Sequence, residues 1–400
     1  MKKILIYDDE LGFRGKVREL IESLTFVADA FEINTPDKPK FEESLKVLEG
    51  RQRTFRKTGT WDGERMALDD TSIFVVDYDL FEFIPHLNGE TLAYLARCFS
   101  TCGLIVGYRY GDNAFDLTLR GELRGEPRSF TDLYVGGTQL DNPGLWRATE
   151  VTEVSFRPWH WPILPDYLRD FEKKVEDVEE SLTGDVPICQ LLGFSPELFA
   201  MLPRSIGQFL GAKPSETTFR RFVTESGNGL EQKDVTSAED VSDAVLARVG
   251  AARISKWLER LVLPEQDILV DAPHLVSRYP SRMTGDVTNI ETWNRTARLT
   301  SHEELGLTTD LIEPFRLKKD HWLSRPVWFW DDLRQCEDIT EVREPWKFER
   351  PNWIFCEDMS RFYDGGDYKE FVADVESPFA RRFVRWFEGV EYRPAVRFSL

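Results

Sequence analysis

The chain has 400 residues, 41% of them hydrophobic and 30% charged, enough for two or three domains with sizeable cores. Lysines and arginines number 51 against 70 aspartates and glutamates, a formal net charge of -19. A surface of that sign repels phosphate backbones and anionic bilayers, so neither a nucleic-acid nor a membrane partner is expected.

In chain order, Ile4–Tyr7 is a short apolar run that predicts a strand. The N-terminus turns acidic straight after it, at Asp8-Asp9-Glu10, so there is no apolar leader core and a cytoplasmic location is expected. Phe13–Leu24 has helical spacing, with Val17, Leu20, Ile21 and Leu24 on one face. Val27–Ile33 reads as a second strand and Phe41 to about Arg53 as a helix. The basic segment Arg51–Lys57 and the Gly59/Gly63 region read as a loop. Ser72–Val76 is a third strand, Gly89–Phe99 a helix, Leu104–Tyr108 a fourth strand and Asp132–Val135 a fifth. Short apolar strands alternating with helices predict a parallel sheet covered on both faces.

Tyr167–Leu182 predicts an amphipathic helix, with Leu168, Phe171, Val175, Val178 and Leu182 at alternating steps of three and four. That stripe either docks the helix on its own domain or makes it a connector, between domains or between the two copies of a homodimer. Beyond Gly184, Ser195-Pro196 is a helix start, Ser226-Gly227-Asn228-Gly229 a loop, and Ser237–Asp240 opens a long helix to about Val262. Val327–Trp330 and Trp353–Cys356 read as strands. The expected division is an α/β unit over 1–150, a connector with the amphipathic helix over 151–184, and a mixed α+β region over 185–400.

Three carboxylates carry the chemistry. Asp8 and Asp9 follow the first strand and Asp77 ends the third, after Ile73-Phe74-Val75-Val76. In an open parallel α/β sheet, ligands bind outside the carboxyl ends of the strands, so adjacent strands bring these groups together. Clustered carboxylates repel unless a cation intervenes, and hard oxygen ligands fit Mg²⁺, with Mn²⁺ as a substitute. A carboxylate beside such an ion can attack a phosphoryl group and form an aspartyl phosphate.

This arrangement resembles the receiver domain of two-component response regulators. The resemblance rests on Ile4-Leu5-Ile6-Tyr7-Asp8-Asp9, Val75-Val76-Asp77 and Pro85-His86-Leu87-Asn88-Gly89, and spans about the first 140 residues. It implies a flavodoxin-like, doubly wound sheet of order 2-1-3-4-5. Asp77 would be the phosphoacceptor for a histidine kinase. Asp8, Asp9 and Asp77, with the backbone carbonyl of Asp79, would hold the metal. The chain departs from the family after the fourth strand, where Gly107-Tyr108-Arg109 stands in place of a Thr or Ser. It departs again after the fifth, where Val135-Gly136-Gly137-Thr138 stands in place of a Lys. A receiver-like segment without a recognisable effector is similar to the accessory receiver proteins of Detocs-type anti-phage systems, which implies a phosphate sink. The alternative is a degenerate pseudo-receiver that binds partners without phosphoryl transfer.

Other candidates are weaker. The odd count of five cysteines fits reduced thiols, and Cys98 and Cys102 lack the second pair a zinc site needs. His160 reads as part of a packed linker. His274, in Asp271-Ala272-Pro273-His274, and Cys356, before Glu357-Asp358, are the groups around which a C-terminal enzyme would be built, though no nucleophile motif accompanies them.

Overall fold

The computed structural model describes residues 1–78, 80, 87–109, 114–116, 129–136, 139–148, 159, 161–297, 307, 312–335, 353–364, 368–372, 382–385 and 391–393. The N-terminal part runs β1 (Lys2–Tyr7), α1 (Leu11–Glu22), α2 (Thr25–Ala30), β2 (Phe31–Asn34), α3 (Lys38–Thr58), β3 (Ile73–Asp77), α4 (Gly89–Phe99), β4 (Leu104–Arg109), β5 (Ala114–Asp116), β6 (Leu133–Gly136) and α5 (Pro143–Trp146). Five of these strands form one all-parallel sheet in the order β2-β1-β3-β4-β6, so its members stand 2-1-3-4-5 in chain order. β3 is buried along its whole length, as its unbroken apolar run requires of a central strand covered on both faces. α1 packs on β1, and α3 packs beside α4.

In this N-terminal part, two elements differ from the sequence-based expectation. Val27 lies in the short helix α2, and the strand begins only at Phe31. Asp29 and the helix-favouring Ala28 and Ala30 interrupt the β-forming residues there. α3 runs through the basic segment to Thr58, because Arg51 is buried there and donates to Asp69, to Glu64 O at 2.7 Å and to Phe99 O at 2.9 Å. Arg56 and Lys57 fill its last turn, where cations suit the helix dipole, and Gly59 closes it at φ 70°.

Next come α6 (Leu164–Gly184), α7 (Ile188–Leu191), α8 (Pro196–Met201), α9 (Arg204–Gly207), α10 (Phe219–Glu225), α11 (Asp243–Trp257), α12 (Ala272–Arg278) and α13 (Ile290–Ala297). α10 falls in a stretch that reads as polar, but buries Phe219, Phe222 and Val223. α11 starts at Asp243, later than Ser237, because Arg220 takes the carbonyls of Ala238 and Val241 that a helix would need. A π-helical turn, Leu258–Val262, extends it to the expected end. The stripe Leu168, Phe171, Val175 and Val178 on α6 is buried within the chain, where α6 packs along α11.

Strands β7 (Leu269–Asp271) and β8 (Val327–Phe329) pair antiparallel. β9 (Ile354–Cys356), β10 (Arg361–Tyr363), β11 (Lys369–Val372) and β12 (Arg382–Val384) form a mixed sheet in the order β10-β9-β12-β11. β13 (Glu391–Arg393) lies parallel to β5. One cluster of buried apolar side chains extends from Ile4 to Val384 and reaches both the five-stranded and the four-stranded sheet. Among the described residues, no helix is long and apolar enough to cross a membrane.

Candidate functional site

Register sets the site. Tyr7 is level with Val76, so Asp8, the next residue, emerges level with Asp77 on the neighbouring strand. Asp77 is in turn level with Tyr108 on β4. Carboxylate oxygens of Asp8, Asp9 and Asp77 lie within 4.8 Å of one another, the only such grouping of His, Cys, Asp and Glu among the described residues. All three are buried, with exposures of 1%, 8% and 8%. The turn into α4 closes against them. Asn88 caps the helix by accepting from Thr91 N at 2.7 Å, and Gly89 N donates to Tyr78 O at 2.9 Å. A Cβ on Gly89 would lie 2.4 Å from Asp77 O, so only glycine lets the helix approach that closely.

Burial raises the Asp8 carboxyl above its ordinary range, and the charge of Asp9 adds to the rise. Two donors partly offset this: Tyr108 OH to Oδ2 at 2.5 Å and Glu10 N to Oδ1 at 2.7 Å. Burial, reinforced by the neighbouring carboxylates, pushes the Tyr108 phenol well up, so it stays protonated and donates. Burial and the charge of Asp9 push the Tyr7 phenol up as well, and Arg14, on α1, is the cation that opposes the rise at both Asp8 and Tyr7, while its guanidinium donates to Pro36 O.

The donor set suits a small hard cation. At Mg–O distances of about 2.1 Å, ligand oxygens in an octahedron lie roughly 3 to 4.2 Å apart. Three carboxylates already within 4.8 Å of one another need only slight contraction to meet that geometry. Asp8, Asp9 and Asp77 are therefore the residues that would hold Mg²⁺ or Mn²⁺. Asp79, Thr138, His160 and Cys336 lie outside the described residues, as do Pro85 and His86.

Tyr108 is the site residue that the sequence reading missed. It ends an apolar run and reads as core, and its partner Asp8 is 100 positions away. The available signal was a hydroxyl level with the Asp that ends the third strand.

The C-terminal candidates form a separate cluster. His274 Nδ1 meets Asp271 Oδ1 at 2.5 Å and Nε2 meets Glu357 Oε1 at 3.2 Å, while Trp159 donates to Asp271 Oδ2. Burial works against a charged His274, but the two carboxylates outweigh it and its pKa is raised. The ring, between Trp159 and Phe355, ties α12 to β9. Cys356 is fully buried, and burial pushes its thiol far from the thiolate, opposite to what a nucleophile needs.

Comparison with protein-family models, with curated proteins and with solved structures finds no match to this chain. Fold and site define an α/β protein with a buried three-carboxylate centre at the carboxyl edge of a parallel sheet.

Proposed function

We propose that the N-terminal α/β unit is a flavodoxin-like receiver that accepts a phosphoryl group on Asp77 from a histidine kinase of a two-component phosphorelay. The observation that carries this reading is the meeting of Asp8, Asp9 and Asp77 at the carboxyl edge of a parallel sheet of order 2-1-3-4-5. Asp77 Oδ attacks the phosphorus of the kinase phosphohistidine. The new P–O bond forms as the P–N bond breaks, and the histidine leaves with the electron pair. Asp8 and Asp9 complete the cation site beside the acceptor. Mg²⁺, when bound, neutralises charge on the entering phosphoryl oxygens.

Tyr108 favours a second reading, the pseudo-receiver. A phenol engaged with Asp8 stands where receivers keep a small switching hydroxyl, and Gly136 ends the fifth strand without a lysine. Between the two lies a phosphate sink, which needs capture without switching and suits a role in restraining an anti-phage kinase. Incubation with acetyl phosphate and Mg²⁺, or with the kinase encoded beside the gene, followed by intact-mass measurement, separates the readings. One phosphate on the wild type and none on Asp77→Asn supports phosphoacceptance. An unmodified Asp77 with both kinase and Mg²⁺ present replaces it with the pseudo-receiver.

A further inference from the structure

We propose that Tyr108 is the positioning residue of the acidic site, holding the Asp8 carboxylate in one orientation and so giving the site its preference for a small octahedral cation. The inference rests on the phosphoacceptor reading for the presence of a metal, and on its own geometry for the rest.

Tyr108 is fully buried and Asp8 is 1% exposed. Each Asp8 oxygen accepts one hydrogen bond, Oδ1 from Glu10 N at 2.7 Å and Oδ2 from Tyr108 OH at 2.5 Å. Two donors on opposite oxygens stop the carboxylate from rotating. Each oxygen keeps lone-pair capacity for a cation, because a carboxylate offers about four acceptor sites. Tyr108 is itself held fast: its residue is paired level with Asp77, and its carbonyl accepts from Tyr78 N at 2.8 Å. One residue therefore ties the turn after Asp77 to the side chain of Asp8. Mg²⁺ demands near-ideal octahedral geometry, whereas Ca²⁺ accepts six to eight ligands at longer and more variable distances. Freeing Asp8 therefore penalises Mg²⁺ more than Ca²⁺.

The test is titration calorimetry of the full chain with MgCl₂ and separately with CaCl₂, comparing wild type with Tyr108→Phe. Loss of an outer hydrogen-bonding partner of a metal ligand typically weakens binding about 10–100-fold, and a loss of that size is expected for Mg²⁺. Ca²⁺ affinity falls by a smaller factor, so the Mg²⁺/Ca²⁺ preference drops. A purely structural role weakens both ions equally, and an unchanged preference overturns the inference while leaving the receiver reading in place. Wild type that binds neither ion overturns both. If Tyr108→Phe does not fold, 4-aminophenylalanine and 4-methylphenylalanine at position 108, which fill the same space and differ in a donor at the place of the hydroxyl, carry the same comparison. The amino variant then keeps the preference and the methyl variant loses it, and equal preferences overturn the inference.

Discussion

Replacing Asp234 with alanine should loosen the joint between the C-terminal region and the helices beside the acidic site. The Asp234 side chain is 0% exposed. It accepts from Tyr94 OH of α4 at 2.5 Å, from Gln52 Nε2 of α3 at 3.0 Å, and from Arg56 of α3. Removing the carboxylate strands the buried Tyr94 hydroxyl, at about 1–3 kcal/mol. Gln52, half-buried, contributes about 0.5–1.5 kcal/mol. Arg56 is 37% exposed in its side chain and turns to water, so its share is about 0–1 kcal/mol. The expected loss is about 3 kcal/mol. Tyr94→Phe removes the donor of one bond, and the double variant removes donor and acceptor together. It should therefore lose at least about 1 kcal/mol less than the sum of the single variants. Urea unfolding followed by tryptophan fluorescence reads this, provided the slope with denaturant is unchanged between variants. Additivity of the two substitutions within about 0.3–0.5 kcal/mol would refute the bond and the joint built on it.

Gly89→Ala places a Cβ 2.4 Å from Asp77 O and 2.7 Å from Tyr78 Cα, both backbone atoms that cannot swing aside. Overpacking of about 1–3 kcal/mol should move α4 off the site and cut Mg²⁺ affinity about tenfold or more with far-ultraviolet dichroism unchanged; unaltered binding would remove this turn from the site. Asp177 accepts from Lys319, His321 and Trp322; burial alone would raise its carboxyl, but these partners pull it down to about 2. A depressed folded pKa stabilises above the unfolded value and is lost as pH falls through the folded one. Asp177→Asn should therefore remove about 1–2 kcal/mol of stability at neutral pH, allowing for solvent screening, and flatten the loss between about pH 4 and 2. An unchanged acid limb in thermal melts would contradict it.

Strands β1, β3 and β4 were legible because each is a short apolar run with little else to become. The carboxylates were legible because they interrupt such runs at their carboxyl ends. α2 was not, since Thr25 to Ala30 mixes β-branched and helix-favouring residues, and only the fold decides between them. Arg51 reads as solvated, yet its partners Glu64, Asp69 and Phe99 come from three later segments that spacing cannot bring together. Tyr108 failed for the same reason. Its hydroxyl acquires a role only once β4 is placed two strands from β1, across β3. For Arg51 and Tyr108 the missing information was tertiary: a long side chain whose charge or hydroxyl is satisfied by another part of the chain.

The helix α4, which approaches Asp77 through Gly89, also bears on whether capture and switching would separate in the proposed function. Glu90, Tyr94 and Arg97 stand at positions i, i+4 and i+7, on one face of α4. Glu90 accepts from Ser129 and from Phe130 N, Tyr94 donates to Asp234, and Arg97 donates to Asp132 and to Gly103 O. Ser129 and Thr131 are held in turn from α11, where Arg253 donates to Ser129 O and Lys256 to Thr131 O at 2.9 Å. A shift of α4 on phosphorylation would have to break several of these buried charge-assisted bonds together, each worth about 1.5–3 kcal/mol. Close anchoring of α4 thus supports capture without a large movement, the behaviour a phosphate sink requires, and Asp234 is one of its anchors.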